Sequence, residues 1–140
     1  MIKELTEYVE TNLSTTNITP VIGTNLFAGK RPLDAPDECI TIMERVPSIP
    51  MPLLSDSFLK PVQVLVRSTD YFSAKAIAED VHDVIFGRDH AGETLGPLNS
   101  GGDIYQMNIA TGDGPAYLAD DASERSEFSA NYLIEGQKNP

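Results

Sequence analysis

The stretch Pro61-Val62-Gln63-Val64-Leu65-Val66-Arg67-Ser68, continuing through Asp70-Tyr71 into residues 74–85, decides how this chain folds. Residues 62–66 are apolar on both sides of an extended chain except at Gln63, the pattern of a strand buried in the middle of a sheet. Directly after it, Ala74, Ile77, Ala78, Val81, Val84 and Ile85 recur at three- and four-residue steps and so make one buried stripe of a helix. Lys75, Glu79, Asp80, His82 and Asp83 form its wet side. The alanines at 74 and 78 let this helix lie close to a sheet. Asp70 stands at its N-cap, and Gly87 stands where a left-handed C-terminal cap favours glycine.

Outward from this unit, Ile2, Leu5, Val9 and Leu13 predict an amphipathic helix over residues 1–13. Asn12 and Ser14-Thr15-Thr16-Asn17 end it, because their side chains compete for backbone hydrogen bonds. A short extended piece follows over residues 18–26, broken by Pro20 and Gly23. Residues 38–44, rich in Ile and Thr, predict a strand. On the C-terminal side, Tyr105, Met107 and Ile109 alternate as in a strand over residues 104–109. Residues 116–119 and 125–134 read as the arms of a hairpin that turns at Asp120-Asp121-Ala122-Ser123-Glu124. In the last arm Phe128, Ala130, Tyr132 and Ile134 share one face, and Ser129 and Asn131 share the other.

The connections are punctuated by Gly and Pro. Pro47, Pro50, Pro52 and Pro61 crowd residues 46–61, where such density argues against regular pairing. The same loop carries Ile49, Met51, Leu53, Leu54, Phe58 and Leu59, so it either folds back over the core or docks on a neighbour. Residues 88–102 read as a mobile glycine-rich loop, Gly112-Asp113-Gly114 as a turn, and residues 136–140 as a frayed tail. With no repeat and no linker, residues 1–140 are expected to form one domain. The fold class expected is α+β, a small, mostly antiparallel sheet of four to five strands with two helices packed on one face.

Composition narrows the function. A hydrophobic content of 41% suffices for a globular core and excludes a wholly disordered chain. No apolar run approaches the ~20 residues that span a bilayer, and Met1-Ile2-Lys3-Glu4 lacks the order of a signal peptide, so a cytoplasmic site of synthesis and no membrane partner are expected. Cys39, the single cysteine, has no partner for an internal disulfide and reads as a small packed hydrophobe. The net charge of −11 repels phosphate backbones. The only basic pair, Lys30-Arg31, is no DNA-binding stripe, so DNA passes nearby at most, without specific binding.

Catalytic chemistry is poorly served. Asp80, His82, Asp83, Asp89, His90 and Glu93 are the densest candidates for a metal, yet the histidines stand eight residues apart across a helix end and a glycine. No serine lies in a nucleophile elbow, and the glycine pairs lack the lysine of a phosphate loop or the acids of a calcium loop. No catalytic, cofactor-binding or metal-binding residue is therefore assigned, no cofactor is expected, and the chain is read as a non-enzyme.

The strand at residues 61–68, the Asp70-Tyr71 helix start, the glycine-rich loop after it, and the pair Ala116-Tyr117-Leu118-Ala119-Asp120 and Phe128-Ser129-Ala130-Asn131-Tyr132 together resemble the minor capsid and tail terminator proteins of long-tailed bacteriophages. The likeness spans roughly residues 38–135. It implies a small sheet flanked by helices, assembled as a hexameric ring that caps the tail tube and joins it to the head connector. The implied partners are further copies of the chain, the tail tube protein and the connector or stopper protein. The implied location is the virion's head–tail interface, after assembly in the host cytoplasm. Leu53, Leu54, Phe58, Leu118 and Leu133 are the candidate subunit or tube contacts, since exposed apolar side chains mark contact surfaces. A head completion or stopper protein is a sibling alternative, and a small metal-dependent hydrolase using His82 and His90 is the alternative from another class.

Overall fold

Alternation along three strands sets the core. Ile40 and Ile42, then Val62, Val64 and Val66, then Phe128, Ala130, Tyr132 and Ile134 occupy alternate positions, and every one of them is buried. The computed structural model describes residues 1–45, 49–50, 57–86, 93–95 and 104–139. In chain order the elements are α1 (Ile2–Asn12), β1 (Leu26–Ala28), β2 (Cys39–Glu44), β3 (Ile49–Pro50), β4 (Ser57–Ser68), α2 (Tyr71–Phe86), β5 (Glu93–Leu95), β6 (Ile104–Asp120) and β7 (Ser126–Asn139). The strands form one sheet in the order β1-β2-β4-β7-β6-β5, with β3 paired to β4 beyond the end of β2. Among the described strand pairs, β1 and β2 run parallel and the others are antiparallel.

Register places the alternating residues side by side. Ile40 faces Val66 and Ile42 faces Val64 across β2 and β4, while Val64 faces Ala130 and Val66 faces Phe128 across β4 and β7. Both helices cover this face. Leu5 and Val9 of α1 and Ala74, Ile77, Val81 and Ile85 of α2 join the same buried cluster. Each large side chain so buried stabilises the fold by roughly 1.5–3 kcal/mol before entropy is counted. The α+β reading with two helices on one face therefore holds. The sheet is larger than four to five strands because the short β1, β3 and β5 extend it.

Helix α2 begins where its cap places it. The Asp70 carboxylate accepts the backbone N–H groups of Phe72 (3.2 Å) and Ser73 (3.1 Å) and the Ser73 hydroxyl (2.6 Å). Those bonds, the Ser73 hydroxyl first, hold its pKa below the usual carboxylate range. Gly87 lies outside the described residues.

Four expectations change. First, the crowded prolines do not abolish pairing: Ile49 and Pro50 pair with Leu59 and Phe58, and β4 already begins at Ser57. Pro50 sits on an outer two-residue strand. The Pro61 carbonyl accepts the Arg45 N–H (3.3 Å) just past the end of β2. Pro61 thus turns its polar edge, and its missing N–H, away from β7, where the ladder continues. Second, Gly112-Asp113-Gly114 is no turn; it lies inside β6, which joins the two predicted pieces into one 17-residue strand. Register shifts between Met107 and Ile109, Asp113 and Ala116, and Tyr117 and Ala119 absorb the extra residues as bulges. Third, residues 136–139 of the expected tail are strand: Gly136 to Asn139 are the last rungs of β7, opposite Met107 to Ile104, and Pro140 lies outside the described residues. Fourth, the expected loop over residues 88–102 contains β5, whose Glu93–Leu95 pairs with β6.

The hairpin turn falls as predicted. Asp121 accepts the N–H groups of Ser123 (2.9 Å) and Arg125 (3.0 Å) through its side chain, and its own N–H donates to the Arg125 carbonyl (2.9 Å). Burial works against the ionised form of Asp121, but the Arg125 and Ser123 N–H groups and the Arg125 guanidinium outweigh it, so its pKa falls.

Candidate assembly surfaces

The face of the sheet away from the helices carries a segment of the chain itself, tied down by arginines. Arg67, only 5% exposed, points there from β4. Its guanidinium donates to the backbone carbonyls of Ala35 (3.1 Å), Pro36 (2.7 Å) and Asp37 (3.3 Å). Arg31 reaches Glu127 (3.0 Å), and Arg125 bridges Asp37 (3.1 Å) and Asp121 (2.8 Å). Residues 29–38 are thereby strapped over Cys39, Thr41 and Ser129, all buried. Burial raises the Cys39 thiol pKa, and Arg67, Arg31 and Arg125 only partly offset it, so the cysteine is a packed side chain. At the bend of this strap Leu33 is fully exposed.

The five predicted contact residues fall in different places. Leu53 and Leu54 lie outside the described residues. Phe58 is half-buried and packs edge-on against Tyr105, with 5.9 Å between ring centroids. Together with Met1, Lys60, Tyr105 and Lys138 it lines a recess of about 210 Å³. Leu118, 52% exposed, is the extra residue of the bulge between Tyr117 and Ala119. Leu133 is exposed on the far face of β7 opposite Pro61 and Thr111. Five residues of strand separate Leu133 from the Leu118 region near Phe128, on the order of 17 Å at the usual strand rise. The structure therefore does not bring Leu118 and Leu133 into one site.

It brings together a cluster that the sequence reading did not single out. Tyr71 and Phe72, at the first turn of α2, overhang the end of the sheet beside Tyr117 of β6. Tyr71 lies 5.3 Å from Phe72, 5.2 Å from Tyr117 and 5.1 Å from the buried Phe128, ring centroid to ring centroid. Phe72 is 74% exposed, and Tyr71, Tyr117 and Leu118 are exposed with it. Tyr117 donates its hydroxyl to Asp120 (2.9 Å), which raises its pKa. The cue in the sequence was the adjacent pair Tyr71-Phe72 directly after a capping aspartate, where both rings cannot face the core.

The metal candidates are dispersed. His82 is stacked on Phe86 (5.0 Å) and on Tyr132 (5.6 Å), and its Nδ1 shares a 2.7 Å hydrogen bond with the Tyr132 hydroxyl. Burial, with Asp83 nearby, pushes the Tyr132 pKa well up, so that hydroxyl stays protonated. Asp80 accepts hydrogen bonds from Thr15 (2.5 Å) and Asn17 (2.7 Å), tying α2 to the segment after α1. Asp89 and His90 lie outside the described residues, and among those described no group of three or more His, Cys, Asp or Glu converges as metal ligands do. Among the described residues no helix is long and apolar enough to cross a membrane.

A family model described as "Bacteriophage tail terminator protein" matches residues 13–138. No curated protein matches the chain.

Proposed function

The chain belongs to the bacteriophage tail terminator family, and from that premise we propose that it caps the tail tube at the head–tail junction of the virion. It does so as an oligomeric ring, for which the sequence resemblance suggests six-fold symmetry, and it offers its other side to the head connector. The ring stops growth by covering the edges onto which a further tube subunit would add. The protein acts by contact and without catalysis, and it assembles in the host cytoplasm. DNA slides past the ring without binding, in keeping with the net charge of −11.

The observation that carries this reading is the aromatic cluster of Tyr71, Phe72 and Tyr117 with Leu118 beside it. Phe72 alone presents three quarters of its surface to water. An exposed cluster of this kind is favourable only once a neighbour covers it. Phe72→Ser with Leu118→Ser removes apolar surface without touching a buried contact. Electron microscopy and light scattering of the purified chain are expected to show rings, and the double variant to shift to single protomers with an unchanged melting temperature. Rings of undiminished size in the double variant would remove the support that this cluster gives.

A further inference from the structure

In a chain with 21 acidic and 10 basic residues, an exposed base with no acid beside it is unusual. Arg31, Lys60, Arg67, Lys75 and Arg125 all take part in ion pairs. The side chains of Lys30 and Arg45 are exposed and make no ion pair among the described residues. Both stand at the same edge of the sheet. Lys30 follows Gly29, whose N–H donates to the Ile42 carbonyl (2.7 Å) as β1 ends. Arg45 follows Glu44, the last residue of β2. Val21 and Ile22 are exposed on the outer side of β1, held there by the Leu26 N–H donating to the Val21 carbonyl (3.2 Å) and by the Ile22–Leu26 bridge.

The opposite edge has the opposite character. From residue 104 to residue 124 the sequence contains no Lys or Arg. Asp113 and Glu124 are exposed and make no ion pair among the described residues. Among the described residues Asp120 accepts the hydroxyls of Tyr117 (2.9 Å) and Ser126 (2.8 Å) and makes no ion pair. β5 pairs with β6 at Tyr105–Met107. Among the described residues, no strand pairs with the outer side of β6 over residues 112–120. The exposed Tyr117 and Leu118 lie on that stretch. An open strand edge is a template for pairing with another chain. Pairing with its own symmetry mate, antiparallel about residues 116 and 117, would set Asp113 against Asp120, and like charges directly opposed disfavour that arrangement.

We propose that the β6 edge of one copy, residues 112–120, seats against the β1–β2 edge of a second copy. Asp113 faces the second copy's Lys30 and Arg45, which lie together at the end of β1 and β2, and Tyr117 and Leu118, further along β6, cover its Val21 and Ile22 beside Leu26. One edge meets a different edge, so the contact is head-to-tail and repeats from copy to copy, closing into a ring when the rotation allows. The assignment rests on the ring reading above and names the surfaces that make it. The paired charges are exposed, so the contact weakens as salt rises.

Charge reversal tests it. Asp113→Lys and Lys30→Glu alter exposed side chains, and each variant is expected to melt like the parent chain. Light scattering across a concentration series should show each variant dissociating at about tenfold higher concentration than the parent. An equimolar mixture of the two variants, in which every junction regains an opposite pair, should assemble like the parent, as should the chain carrying both changes. Single variants that assemble like the parent, or a mixture no better than either alone, would overturn the edge assignment and leave the ring reading standing. A parent chain that stays a single protomer at every concentration and also on tail tubes would overturn the ring reading and the assignment with it.

Discussion

Arg67→Met is expected to lower the stability of the folded chain by about 3 kcal/mol, the usual scale for removing one member of a buried charged network. Methionine keeps the length of the side chain and its packing against the sheet. It cannot donate to the carbonyls of Ala35, Pro36 and Asp37, which the guanidinium now holds at 2.7 to 3.3 Å. Asp121, 3.9 Å from the same guanidinium, loses one of its two arginines. Residues 29–38 then lift from the far face of the sheet and expose Cys39 and Thr41. Denaturant unfolding measures the loss, and trypsin should cut after Lys30 faster than in the parent chain. A loss below about 0.5 kcal/mol, the range of an ordinary surface change, would show that the strap holds without its arginine.

Gly112→Ala is the second large effect, at about 3 kcal/mol, the upper part of the usual overpacking range. A Cβ at this position collides with the Asn131 carbonyl oxygen and stands 2.9 Å from the Tyr132 Cα. Both obstacles are backbone of the neighbouring strand, so relief requires β6 and β7 to separate where Gly112 faces Tyr132. Gly114→Ala is the control: a Cβ there meets nothing within 4 Å, and its effect should stay within about 0.5 kcal/mol. Equal melting temperatures for the two variants would contradict the close approach at residue 112.

The same two positions mark what the sequence could and could not convey. Periodicity carried the buried strand around Val64, the stripe of α2 and the inward face of β7, because burial on one side of a regular element leaves a repeat of two or of three to four residues. Gly112-Asp113-Gly114 has the chemistry of a turn, and only the long-range pairing with Asn131 and Tyr132 makes it strand. The tail looked free for the same reason: Gly136 and Lys138 pair with Met107 and Tyr105, about thirty residues earlier. The strap over residues 29–38 has no period at all. Its one trace is a lone arginine ending an apolar strand, whose meaning depends on what lies above it.

The candidate contact surfaces are legible in the sequence only in part. Leu118 and Leu133, contact candidates from the sequence, are exposed, but the sequence pattern says nothing about which exposed positions cluster in space. Tyr71 and Phe72 join Tyr117 through the placement of α2 over the end of the sheet, a tertiary relation. The opposite charge of the two sheet edges is likewise invisible until strand order puts β1 at one edge and, among the described residues, leaves most of the outer side of β6 without a paired strand at the other.

The central claim is that this protein ends a growing tail tube, and tube length measures it directly. Tail tube subunits are allowed to polymerise alone and with increasing amounts of the purified chain, and the products are imaged by electron microscopy. Tubes should become shorter in proportion to the chain added, each with extra density at one end, and the Phe72→Ser, Leu118→Ser double variant should lose the effect. Tubes of unchanged length with bare ends at saturating chain would contradict the account.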